Sequence, residues 1–134
     1  MNTPTTNDDS LPGTSGADSI DGLSGNDIIE GFAGNDTLIG GAGNDNIDGG
    51  DDNDSITGDQ GSDTIDAGSG DDFVDGGTES DSIVGGIGND TLLGGAGNDT
   101  IGNFANDGND SIEGGAGDDL IRDYYGDNTI NAGA

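Results

Sequence analysis

No cysteine, histidine or lysine occurs in this chain, and Arg122 is its single basic residue. Without cysteine there is no disulfide framework, and thiol usage neither supports nor excludes an extracellular location. Without histidine, cysteine or lysine the usual general bases and nucleophiles are missing, so no enzyme is expected in these residues. The same absence removes the ligands that zinc and copper prefer. One arginine cannot neutralise a phosphate backbone, which excludes nucleic acid as a partner. No apolar run approaches the ~18 residues of a membrane span, and the opening "MNTPTTNDDSLPG" lacks the basic and apolar regions of a signal peptide. A chain of this kind that leaves a cell is expected to do so by a route with no N-terminal mark.

What is present is acid and glycine. Asp and Glu number 29 and Gly 30 in 134 residues, the formal charge is -28, and only 27% of residues are hydrophobic. Composition alone points to a disordered acidic chain whose natural partners are cations. The order of the residues points elsewhere. A nine-residue period fills 13–102 with ten units, and after Asn103 and Phe104 three more units fill 105–131. The consensus is G-G-x-G-N-D-x-U-x, with U a large aliphatic residue. Position eight is aliphatic in all thirteen units: Ile20, Ile29, Leu38, Ile47, Ile56, Ile65, Val74, Ile83, Leu92, Ile101, Ile112, Ile121 and Ile130. Position six is Asp in twelve units and Asn128 in the last, and 28 of the 30 glycines fall at positions one, two and four. Such regularity predicts one repeat domain over 13–134, with a two-residue insertion at 103–104, preceded by a flexible segment over 1–12.

Only positions seven to nine suit a strand, and their polar, apolar, polar order turns one side chain inward and two outward. The six residues before them are turn-formers. Glycine suits left-handed angles there, and Asn at position five reads as the next best tolerator of them. A short strand and a reversing turn per unit make two units close one coil of 18 residues. The prediction is an all-β flattened solenoid: two parallel sheets, a thin aliphatic filling, and a column of loops along each edge.

That stacking carries an electrostatic cost. Asp27, Asp45, Asp63, Asp81 and Asp99 line up on one edge. At a coil spacing of ~4.8 Å and an effective dielectric near 20, each neighbouring pair repels by roughly 3.5 kcal/mol before salt screening. Without a counter-charge the solenoid is expected not to form. Calcium suits the loops best, because it takes about six to eight oxygens from carboxylates and carbonyls in flexible geometry, whereas magnesium is stricter. Thirteen loops make eleven same-edge pairs, hence up to about eleven Ca2+ ions, or +22 against the chain's -28.

The stretches "GGAGNDNID", "GGIGNDTLL" and "GGAGNDTIG" resemble the RTX (hemolysin-type) calcium-binding nonapeptide GGxGxDxUx, and the resemblance spans 13–131. It implies a right-handed parallel β-roll, disordered without calcium and folded with it, in a protein secreted to the exterior by the type I route. The C-terminal secretion signal of that family is not visible here. It further implies that the metal ligands are Asp18, Asp27, Asp36, Asp45, Asp54, Asp63, Asp72, Asp81, Asp90, Asp99, Asp110 and Asp119, with loop carbonyls beside them.

Three places break the pattern. Asp52 and Glu79 replace the fourth-position glycine and are expected to weaken their sites, the alternative being that the extra carboxylate supplies a ligand. The loop "DYYGDN" at 123–128 lacks both leading glycines and carries Asn128, which is expected to impair the site shared with Asp110. Asn103 and Phe104 are expected to bulge without ending the roll. Two functions then compete. One is a calcium-triggered folding scaffold of a secreted bacterial protein. The other is a polysaccharide- or protein-binding module attached to a secreted enzyme or adhesin, with the outward residues Ile28, Ile39, Phe73, Val84, Leu93 and Leu120 as a contact surface.

Overall fold

The computed structural model describes residues 4–103 and 108–134, and among them the regular structure is entirely β. In chain order the strands are β1 (Ser10–Pro12), β2 (Ser19–Asp21), β3 (Ile28–Glu30), β4 (Thr37–Ala42), β5 (Asn46–Asp51), β6 (Ser55–Gln60), β7 (Thr64–Ser69), β8 (Phe73–Thr78), β9 (Ser82–Ile87), β10 (Thr91–Ala96), β11 (Thr100–Asn103), β12 (Ser111–Ala116), β13 (Leu120–Asp123) and β14 (Thr129–Asn131). Odd-numbered strands form one seven-stranded sheet and even-numbered strands the other, each stacked in sequence order. Every pairing is parallel. Leu38 faces Ile56 and Ile47 faces Ile65, an offset of 18 residues, so two units close each coil as the nine-residue period predicts.

Between the sheets lies a single file of aliphatics from position eight, fully buried from Ile29 to Ile112 and partly buried at Ile20 and Ile121. Alternation along the extended chain explains what else faces in. Position six lies two residues before the aliphatic and position one of the next unit two residues after it, so all three share its side of the pleat. Asp27 and Asp90 are accordingly 1% exposed, although they are charged. Positions seven and nine point outward, and Ile28, Phe73 and Leu120 stand exposed there.

The structure departs from the sequence reading in several ways. The inner strands run for six residues rather than three, because the pairing continues through positions one to three of the next unit, as Gly50 opposite Gly68 shows. The segment 1–12, read as flexible, contains β1, which pairs with β3 and buries Leu11 at 3% exposure. Leu11 stands 18 residues before Ile29 and fills the aliphatic position of an additional unit at 4–12, one without glycine and therefore without a visible consensus. Leu11→Ala is expected to cost about 2 kcal/mol, at the low end for a buried leucine because an end coil can partly collapse. A lowered urea midpoint in calcium would show it, and an unchanged one would place 4–12 outside the folded unit. Phe104 lies outside the described residues. Across it the offset becomes 20, with Leu92 opposite Ile112 and Ile101 opposite Ile121, and it returns to 18 at Ile112 opposite Ile130.

Candidate metal centre

Coil stacking makes two columns of position-six side chains. One runs Asp9, Asp27, Asp45, Asp63, Asp81, Asp99 and Asp119, and the other Asp18, Asp36, Asp54, Asp72, Asp90, Asp110 and Asn128. In both, each backbone N–H donates to the side-chain Oδ1 of the residue one coil further on. Asp27 donates to Asp45 at 2.7 Å, Asp45 to Asp63 at 2.8 Å, Asp54 to Asp72 at 2.8 Å and Asp110 to Asn128 at 2.8 Å. One carboxylate oxygen is thereby spent on holding the coils in register.

The second oxygen has no such partner. Oδ2 of Asp27, Asp36, Asp45, Asp54, Asp63, Asp72, Asp81, Asp99 and Asp119 is buried and accepts no hydrogen bond. Except at Asp72, whose unit opens with Ala67, these atoms face the position-one glycines. A Cβ placed on Gly76 would fall 2.5 Å from Asp81 Oδ2 and 2.7 Å from the Gly94 carbonyl oxygen, and one on Gly114 would fall 2.5 Å from Asp119 Oδ2 and 2.6 Å from the Ala132 carbonyl. Glycine therefore leaves a cradle whose walls are a carboxylate oxygen and a carbonyl oxygen of the next coil. A buried anionic oxygen costs several kcal/mol unless a positive charge or donor answers it. Among the described residues no three carboxylates converge. The donor set is thus all oxygen, one carboxylate per loop plus backbone carbonyls, which fits calcium.

The carboxyls register the strain. Burial pushes Asp54 and Asp63 up to about 6, opposed by the N–H donated from the preceding coil and reinforced by column neighbours such as Asp36 and Asp45. Burial likewise pushes Asp72 and Asp81 up to about 7, with the charges of neighbouring aspartates adding to it. Asp45 and Asp99 are raised for the same first cause.

Asp18 differs from Asp36, Asp54 and Asp72 of its column. Its Oδ2 accepts the Thr14 N–H at 2.6 Å and the Thr14 hydroxyl at 2.8 Å, and Thr5 treats Asp9 the same way at 2.7 and 2.8 Å. In the first two units a threonine at position two thus answers an oxygen that Leu23, Phe32, Asp59 and the position-two glycines leave unanswered further along. Asp90 and Asp110 are buried in their columns at 1% and 3% exposure.

Position five has a role that its residue type did not reveal. Its residues show no left-handed angles. Left-handed φ falls at positions two and four, reaching Leu23 (72°), Phe32 (75°) and Asp59 (74°) besides the glycines. The position-five side chains instead make a second ladder, in which Oδ1 of Asn26 accepts the Asn44 N–H at 2.7 Å and Oδ1 of Asn89 accepts the Asn109 N–H at 2.9 Å. The recurrence of Asn, Asp and Ser there was the available signal.

Asp52 and Glu79 adopt left-handed φ of 75° and 73° at position four. Their carboxylates turn to the coil before, accepting the Gly34 N–H at 3.2 Å and the Gly61 N–H at 3.0 Å. The Thr78 hydroxyl, first, and that Gly61 amide hold Glu79 below the usual carboxylate range. These extra acids therefore brace the stack.

No curated protein matches the chain in a sequence comparison. The family model of the RTX calcium-binding nonapeptide repeat (4 copies) matches residues 5–31, 12–47, 30–65, 39–74, 66–101 and 104–134. Matched almost from end to end, and stacked so that acidic loops hold buried oxygens without hydrogen-bond partners, the chain belongs to the RTX calcium-binding nonapeptide repeat family.

Proposed function

We propose that this calcium-binding repeat module is a calcium-dependent folding scaffold of a secreted protein. The observation that carries the reading is the file of buried Oδ2 atoms without a hydrogen-bond partner along both edges. Asp27, Asp36, Asp45, Asp54, Asp63, Asp72, Asp81, Asp90, Asp99, Asp110 and Asp119 hold the ions, together with loop carbonyls, and Asp18 joins them where Thr14 releases its Oδ2. Bound calcium supplies the positive charge that the columns lack, up to about eleven ions against -28.

In the absence of that charge, repulsion along both columns and the cost of ordering a glycine-rich backbone favour the open chain. The aspartates then stay in water and the chain remains extended enough to pass an export channel. Once the carboxylates are neutralised, Oδ1 accepts the N–H of the preceding coil and the aliphatic file closes. Each coil rests only on its neighbours, so folding spreads from a closed coil to the next. The threonine clamps on Asp9 and Asp18 give it a start at the N-terminal end, where two loops are closed by hydroxyls.

The test is circular dichroism at neutral pH, beginning in excess chelator. A coil spectrum is expected there and a β spectrum after millimolar calcium is added. A β spectrum already present in chelator overturns the reading.

A further inference from the structure

One inner loop lacks the space that its neighbours keep. From residue 13 onward position one is glycine except at Ala67, Ala105 and Asp123. Ala105 lies outside the described residues, whereas Ala67 lies in β7, in the middle of the stack. The register pairs on either side of it, Asp66 with Val84 and Gly68 with Gly86, place it opposite Gly85 of the next coil. It faces inward beside the aliphatic file and is fully buried.

A methyl at position one fills the cradle. On the same edge of the roll, a Cβ built on Gly49 would fall 2.7 Å from Asp54 Oδ2, and one built on Gly85 would fall 2.6 Å from Asp90 Oδ2. Carbon and oxygen do not pack so closely, so the real methyl of Ala67 obliges its loop to give way. The register bond records the shift. The Asp72 N–H donates to Asp90 Oδ1 at 3.1 Å, the longest such bond among the described residues, against 2.8 Å from Asp54 to Asp72 and 2.9 Å from Asp90 to Asp110. Asp72 Oδ2 is nevertheless buried and accepts no hydrogen bond. The ligand oxygen is therefore present while the space beside it is taken. Calcium lies about 2.3–2.6 Å from each of its oxygens, which is the space the methyl carbon occupies.

We infer that Ala67 sets the weakest calcium site of the inner roll, the one between the Asp72 and Asp90 loops, by filling the cradle that glycine leaves open elsewhere. The site keeps both carboxylates, so it still takes an ion, displaced from the cradle and held with lower affinity. It fills last. Until it does, the two coils it joins are tied on the opposite edge alone, between the Asp63 and Asp81 loops. One methyl thereby fixes the calcium concentration at which the stack is complete. This rests on the reading that position-six aspartates hold calcium.

The test compares the full wild-type chain with Ala67→Gly, counting bound calcium by equilibrium dialysis and following β-structure by circular dichroism over the same titration. Ala67→Gly is expected to move one ion per chain to binding on the order of tenfold tighter and to lower the calcium midpoint of β-structure. The sign separates this role from packing. Glycine frees the open chain and removes a buried methyl, so an alanine that merely filled the core would give a higher midpoint in the variant and move no ion. An unchanged distribution of bound ions, or a midpoint that rises, overturns the proposal while calcium binding itself stands. If both chains bind no calcium and gain no β-structure, the underlying reading falls as well.

Discussion

Asp72→Asn is expected to raise the calcium concentration needed for β-structure by on the order of tenfold or more at the affected coils, while making the metal-free roll easier to form. The two effects have opposite signs because the two oxygens of Asp72 have separate duties. Its Oδ1 accepts the Asp54 N–H at 2.8 Å, and asparagine can do the same, as Asn128 does for Asp110. Its Oδ2 is buried, unpartnered and lies among the charges of Asp90, Asp54 and Asp71. Asparagine removes the ligand and the repulsion together. Asp72→Ala removes the register bond as well, leaving the Asp54 N–H without its acceptor at a cost of about 1–3 kcal/mol. Calcium midpoints by circular dichroism should therefore rise from wild type to Asn to Ala. Equal midpoints for wild type and Asn would show that Oδ2 is not a ligand. Equal midpoints for Asn and Ala would remove the role given to Oδ1.

Acid is expected to do part of calcium's work. In excess chelator, lowering the pH from 8 toward 5 should bring up β-structure, contrary to the usual acid unfolding of proteins held by ionised carboxylates. Asp72 and Asp81 titrate at about 7 in the folded chain and Asp54 and Asp63 at about 6, against 3.8 for an unperturbed aspartate. Between those values the folded state keeps protons that the unfolded state has released, so stability falls as pH rises through that window. The contribution is complete below about 3.8 and gone above about 7. Protons and calcium then compete for the same oxygens. The calcium midpoint should rise as pH falls, and binding near neutral pH should release protons, seen calorimetrically as a heat that varies with the ionisation enthalpy of the buffer. A chelated chain that gains no β-structure on acidification would refute the burial of ionised oxygen on which the pH argument stands.

Much of this was legible in the residue order. Thirteen aliphatics at a strict nine-residue phase require that each unit turn one side chain inward, and two units per coil follow from the reversing turns. Position-six aspartates then stack because the phase is shared. Residue type misled at position five, where Asn looks like a tolerator of left-handed angles but works as a hydrogen-bond ladder through Asn26, Asn44, Asn89 and Asn109. It was silent at Leu11, whose unit has no glycine to announce it. It also left open what Asp52 and Glu79 would do, and they turn out to meet the amides of Gly34 and Gly61.

Periodicity by itself determined the all-β roll, the two sheets, the aliphatic file and the residues that form the acidic columns, since a repeated phase settles which side chains share a face. Tertiary structure alone decided how each carboxylate divides its oxygens and which loops threonine closes. The reason is distance along the chain. The atoms that meet in those contacts mostly belong to different coils, 18 or 20 residues apart, or to departures from the consensus, and only stacking shows which of them a hydrogen bond satisfies and which are left for a cation.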